Sequence, residues 1–264
     1  MMSSVNTLGA LTHRNILKSM RNPDIVVFAT AAPVAFALLF AFVFGSAMEM
    51  SGSAYREYLL VGILAQTMLM TSTNTGIGLA MDNKQGMMDR FRSLPVRPVA
   101  VVTARANSDL VMNLIVIVLL TLVGLVMGWR IRSGPFEAAA GFGLLLLFAY
   151  ALSWVSAWIG LKVRSPEVLS NVSMLILLPL SFISTAFVPT DGMPTPMRIA
   201  AEWNPVSAVV TGVRELFGNV PEAAPISDIL PLQYPVIAGV IWSLLLILIF
   251  VPLATRSYVN SHTR

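Results

Sequence analysis

The sequence predicts an all-α polytopic membrane protein, an expectation that rests on three observations. Of its 264 residues, 56% are hydrophobic and only 11% charged, against about 25% charged in soluble domains. Apolar runs long enough to cross a bilayer recur along the chain, and the loops between them alternate between many and few basic residues. The expected architecture is one transmembrane domain over residues 1–264. It comprises six spans, an N-terminal interfacial helix within 1–24, and two short outer-side helices in the segment 189–234.

The leader comes first. On a helical wheel over residues 5–21, Val5, Leu8, Leu11, Ile16 and Met20 share one half and Arg14, Lys18 and Arg21 the other. That arrangement predicts a helix lying in the membrane interface with its cations near lipid headgroups. Ile25 to Phe44 then runs 20 residues without a charge, enough at about 1.5 Å per residue to cross a hydrocarbon layer about 30 Å thick. It is too long for a secretory signal core, so it reads as a retained first span. The remaining spans are expected at Leu59–Met81, Leu110–Gly128, Ala138–Leu161, Val168–Val188 and Pro235–Leu253.

An even number of spans puts both termini on one side. The leader, the segments 82–109 and 162–167 and the tail hold 12 of the 17 Lys and Arg. Positive-inside bias therefore predicts cytoplasmic termini and a cytoplasmic 82–98 segment in a cell inner (plasma) membrane. The third helix is expected to begin at about Val99, before the lipid does. Arg105 and Asp109 then avoid the roughly 2.5–3.5 kcal/mol that a charge costs at mid-membrane. In the fourth span Ala149, Ser153 and Ala157 recur every four residues, a spacing that permits close approach of another helix.

The segment 189–234 holds seven of the sixteen prolines. Asn204 as N-cap, Pro205 in the first turn and Gly218 as stop predict a helix with Val206, Val209, Val210, Val213, Leu216 and Phe217 on one face. A shorter helix is expected from Pro196 to Trp203, capped by Thr195. Both are expected to dip against the bundle, because their apolar stripes need cover.

The chemistry that is missing narrows the function. There is no cysteine, and His13 and His262 stand far apart without companion ligands, so no bound metal is expected. No phosphate-cradling loop, zinc-binding H-E-x-x-H or G-x-S-x-G nucleophile occurs. The chain is therefore expected to be non-catalytic and to bind no cofactor. Its basic residues form no concentrated stripe, which argues against nucleic acid. Ionisable residues are missing from the middle of every span, which weighs against an ion-coupled secondary carrier. A membrane enzyme acting on lipid, with Asp109 or Glu202 as acid or base, is a further alternative.

The spans instead carry neutral polar groups. Gln66, Thr73, Asn74, Asn113, Ser181 and Thr185 are candidates to line a path for an amphipathic solute, set against plain interhelical hydrogen bonding. In 82–98, Gly86 interrupts the chain, and Met87, Met88, Phe91 and Leu94 sit among Asp89, Arg90 and Arg92 before Pro95. That pattern suits a short amphipathic helix docking into a partner's groove. Phe91 and Leu94 would supply the contact.

The sequence resembles the membrane subunits of type-2 ATP-binding-cassette exporters, most closely the daunorubicin-resistance branch. The resemblance rests on Gly86 followed by DRFRSLP, on Arg105 and Asp109, on FVP at 187–189, and on WNPVSAVVTGVRELFGN at 203–219. It covers nearly the whole chain, and it departs at Ala104, where such proteins often have glycine. The resemblance implies a dimer with an identical or related permease, seated on two copies of a separate ATPase that binds ATP and Mg. It implies that Gly86, Asp89, Arg90, Phe91, Arg92, Leu94 and Pro95 form the coupling helix at that ATPase, with the leader helix at the same contact. Hydrophobic or amphipathic drugs or lipids would be moved outward, as in multidrug efflux and antibiotic resistance. Pro189, Trp203, Asn204, Pro205 and Arg214 would belong to an outer gate. Arg214 there either pairs with Glu202 or Glu215 or remains a solvated charge.

Overall fold

The computed structural model describes residues 4–20, 23–40, 52–87, 98–163, 165–220 and 229–260. Among them the fold is helical throughout, with no strand. The helices are α1 (Ser4–Met20), α2 (Pro23–Leu39), α3 (Gly52–Thr71), α4 (Thr73–Lys84), α5 (Pro98–Val126), α6 (Pro135–Gly160), α7 (Pro166–Phe182), α8 (Thr195–Glu202), α9 (Pro205–Phe217), the one-turn α10 (Leu230–Gln233) and α11 (Pro235–Asn260). Three are each long and apolar enough to cross a membrane: Val99–Val126, Pro135–Gly160 and Pro235–Asn260. Thr30–Leu39 and Pro166–Phe182 are shorter apolar helices.

Helix starts follow local chemistry. Pro occupies the first turn of α6, α7 and α9, where its missing N–H costs nothing. At α7 the Ser165 side chain accepts a hydrogen bond from the Val168 amide, and at α6 Glu137 reaches back to the Gly134 amide at 2.7 Å. The expected leader helix is present as α1 and packs along α5. As expected, α5 starts well before Leu110, and it runs through the fully buried Ala104 without a break.

Two spans differ from expectation. The second is not one helix over Leu59–Met81: it divides at Ser72 into α3 and α4. The physical cause is a row of hydroxyls that bond back into the preceding turn. Thr67 donates to the Ile63 carbonyl at 2.7 Å, Thr71 to Thr67 at 2.8 Å, Ser72 to Met68, and Thr73 to Met70 at 2.7 Å. Such back-bonding competes with the backbone ladder and bends helices. The fifth span, expected to reach Val188, ends as a helix at Phe182. Pro179 lies within its last turn, and the carbonyls beyond it are claimed by other elements.

Two cores organise the bundle. The larger joins α3, α5, α6 and α9 through Leu64, Met68, Ile117, Trp129, Phe148, Val209 and Phe217. The smaller joins α4, α5, α6 and α11 through Leu79, Val102, Ala106, Trp154, Ala157 and Tyr258, with Leu11 of α1 and Met87 packed against it. The expected close approach of the small-residue face of α6 occurs against α4: a methyl on Gly160 would lie 2.3 Å from the Gly76 carbonyl oxygen. Ser156 Oγ bridges the crossing, accepting from the Gly76 amide at 3.1 Å and donating to the Thr73 carbonyl at 3.0 Å.

Candidate functional site

Of the residues expected at an outer gate, Asn204, Pro205 and Arg214 belong to helix α9 and its cap, whereas Pro189 precedes the separate turn Thr190–Gly192. Helix α9 starts and stops where the sequence places it. The Asn204 side chain accepts from the Val206 amide at 2.9 Å, and Gly218 ends the helix at a φ of 67° that favours glycine. Asn204 has a second task, because its amide also donates to the Leu180 and Ile183 carbonyls at 2.7 and 2.6 Å. One side chain thus caps α9 and satisfies the end of α7.

Arg214 lies on the buried face of α9 and is 3% exposed. Its Nε and Nη2 donate to the Tyr58 carbonyl at 3.2 and 2.9 Å, Nη1 to Thr185 at 2.8 Å, and Nη2 to Ala186 at 2.9 Å. The guanidinium sits 3.4 Å from the centre of the Tyr58 ring, whose hydroxyl donates to the Thr185 carbonyl at 2.7 Å. Both readings of Arg214 from sequence are corrected here. It is not solvated, and its donors go to carbonyls rather than to Glu202 or Glu215: Glu202 faces Arg198 at 3.9 Å, and Glu215 is exposed. Because α7 stops at Phe182, the carbonyls at 185 and 186 lack intrahelical partners, and a planar five-donor fork is suited to collect them.

Thr185, a candidate path residue, belongs to the same seat. Its amide donates to Ser207 Oγ at 3.0 Å, and its hydroxyl lies 3.2 Å from that of Thr211. The other path candidates do not join it. Asn74 is exposed, Gln66 is half-buried, and the Thr73 hydroxyl bonds back to the Met70 carbonyl of α3. Asn113 Nδ2 and Ser181 Oγ are buried without a hydrogen-bond partner. Trp203, expected at the gate, is 52% exposed, and Met197 and Ile199 of α8 are exposed as well. Helix α9 therefore has the expected cover, whereas the apolar side chains of α8 do not. Between α7 and α8 lies a cavity of about 320 Å³ lined by Ile176, Pro179, Leu180, Ile183, Ala200 and Asn204.

Sequence reasoning missed a second network beside this seat. Arg132 holds the Glu57 carboxylate with two nitrogens, Nη2 at 2.8 Å and Nε at 3.0 Å. Asn219 donates to the Arg130 carbonyl at 2.9 Å and receives the Trp129 indole N–H at 3.0 Å. These bonds tie α3, the α5–α6 loop and the end of α9. In the sequence, Arg130 and Arg132 serve only to count loop charge, and Asn219 only closes a motif.

At the far end of α4, Gly86 has a φ of 68° and is exposed. Of the candidate coupling residues, Asp89, Arg90, Phe91, Arg92, Leu94 and Pro95 lie outside the described residues. Just above, Asp109 accepts a 2.5 Å hydrogen bond from Thr75 and sits 3.8 Å from Arg105 Nε. Among the described residues no three His, Asp or Glu side chains gather as metal ligands.

Comparison with known proteins gives this architecture a family. Residues 6–217 match the ABC-2 type transporter model. The chain is 30% identical over 254 residues to the daunorubicin resistance ABC transporter permease protein DrrB1 of Streptomyces coeruleorubidus, covering 96% of this chain and 86% of that one. A putative transport permease ycf38 of Porphyra purpurea is 24% identical over 81% of this chain and 75% of its own. The polysialic acid transport protein KpsM of Escherichia coli is 26% identical over 72% of each chain. With the matched region running from α1 through α9, the chain belongs to the ABC-2 type transporter family as a membrane permease.

Proposed function

We propose that the chain is the non-catalytic permease of an exporter that carries hydrophobic or amphipathic drugs or lipids outward, driven by a separate ATPase. The observation that carries this reading is the family match over residues 6–217, which takes in the leader helix, the 82–98 segment and α9 together. These 264 residues hold no phosphate-binding loop, and under this reading the energy enters from a separate ATPase. Segment 82–98, between α4 and α5, is the proposed seat of that ATPase, with ATP and Mg bound on the ATPase side. The packing of Leu11 and Met87 against one core supports placing the leader helix at the same contact.

Six spans, cytoplasmic termini and a dimer of permeases complete the proposal. The mostly apolar lining of the cavity at the Asn204 cap is in keeping with a hydrophobic cargo. Of the two carboxylates in the lipid-enzyme alternative, Asp109 accepts from Thr75 and lies 3.8 Å from Arg105, and Glu202 is 8% exposed beside Arg198.

The test is purification of the tagged chain from its native membrane. It is expected to bring down a nucleotide-hydrolysing subunit, and the pair in liposomes to expel an amphipathic dye only with ATP. Recovery of the permease with no ATPase would refute the reading.

A further inference from the structure

The 82–98 segment lies between two helices, α4 before it and α5 after it, and these helices are joined to each other by a polar contact. Arg105 and Asp109 are four residues apart and so share one face of α5. Thr75 and Gly78 are three apart and share one face of α4. Thr75 Oγ1 donates to Asp109 Oδ2 at 2.5 Å, and the same oxygen lies 3.8 Å from Arg105 Nε. The Arg105 side chain is only 18% exposed, and its Nε has no hydrogen-bond partner. Its guanidinium lies across the backbone of α4: a methyl on Gly78 would be 1.9 Å from Nη2 and 2.1 Å from Cζ.

We propose that Thr75, Gly78, Arg105 and Asp109 form a clamp that makes α4 and α5 move as one body, so that a push on the 82–98 segment reaches the bundle undivided. These are positioning residues and touch neither nucleotide nor cargo. The inference rests on the exporter reading for the origin of the push, but the clamp itself is a property of this chain.

Two features of the surroundings give the clamp its purpose. Helix α4 is set off from α3 by a turn at Ser72, whose amide still donates to the Met68 carbonyl at 3.1 Å. Helix α4 also packs on α6, where Gly76 meets Ser156 and Gly160 backbone to backbone, and on α7, where Leu169 closes on Gly76 and Lys84 lies 3.6 Å from Glu167. The α5 contact, at Thr75 and Gly78, ties α4 directly to the other arm of the segment.

The chain has no cysteine of its own, so spin labels can be placed at will. Labels on Asn83→Cys and Val99→Cys, both exposed positions, report the α4–α5 separation in the full chain in nanodiscs, diluted with unlabelled protein. The unaltered clamp is expected to give one narrow distance distribution. Thr75→Val and Gly78→Ala should each at least double its width, and Thr75→Ser, which keeps the hydroxyl, should restore it. Gly78→Ala guards against misfolding, because its methyl meets the end of a flexible side chain rather than backbone.

In the assembled complex the two widening variants should keep ATP hydrolysis within twofold while Hoechst 33342 expelled per ATP falls at least tenfold. Unchanged widths would overturn the clamp, and widened distributions with unchanged dye expelled per ATP would overturn its role in coupling. If the unaltered complex hydrolyses ATP and moves no dye, the exporter reading fails for that dye class. The distance widths still judge the clamp.

Discussion

Arg214 is a buried cation whose charge is met by three carbonyl dipoles and a ring face. Removing it leaves the Tyr58 and Ala186 carbonyls without that partner, in a site that water does not reach freely. Arg214→Ala is therefore expected to cost about 3–5 kcal/mol, the range for breaking a buried charge-assisted network. Arg214→Lys keeps the charge but not the fork, and should recover less than half of the loss. Gly62 faces the same seat, since a methyl there would lie 1.9 Å from the Ala186 carbonyl oxygen. Gly62→Ala should thus push away the segment that Arg214 collects. The combined variant is expected to lose clearly less stability than the sum of the two single losses. Thermal melting of the detergent-solubilised chain checks all four variants, and simple additivity would show that the two residues do not share a site.

At the scale of elements, the α4–α6 crossing depends on small residues at particular positions rather than on glycine content. Within α6, Gly160 meets the Gly76 backbone, whereas Gly143 has nothing within 4 Å of where a methyl would stand. Gly160→Ala should destabilise by about 1–3 kcal/mol through overpacking against backbone that cannot yield. Gly143→Ala should leave stability unchanged or raise it by up to about 1 kcal/mol through helix propensity. Equal melting temperatures for the two variants would refute the crossing. The contrast also explains what was legible in the sequence. Helix α9 could be read from Asn204, Pro205 and Gly218 because caps are local chemistry, and the spacing of Ala149, Ser153 and Ala157 marked the right face of α6. The end of α7 could not be read, because the groups that release it from helix are far away in the chain: Arg214 and Asn204 claim carbonyls some twenty to thirty residues upstream. The Glu57–Arg132 pair was hidden for the same reason, spanning 75 residues. The six path candidates were chosen by polarity alone, which says that a group needs a partner and not where that partner stands.

For the whole molecule, the two ends of the bundle differ in how their charges are used. Around the Arg214 seat, Glu57, Arg132 and Arg214 make bonds between elements, with Arg214 and Glu57 largely buried. Around α4 and α7, Lys84 and Glu167 lie 3.6 Å apart but are 59% and 69% exposed, a contact that water largely screens. Under the proposed orientation this end faces the cytoplasm, where positive-inside bias places the excess of Lys and Arg. Orientation can be tested in the cysteine-free chain with a membrane-impermeant maleimide. Phe136→Cys, at a position 88% exposed at the start of α6, is expected to react in intact cells. Gln85→Cys and Lys162→Cys, both at exposed positions on the opposite end, should react only after the membrane is opened. The reverse pattern would invert the protein, and with it the direction in which an ATPase below could drive cargo. Labelling of all three in intact cells would break the six-span arrangement itself, because the helices between these positions must then fail to cross.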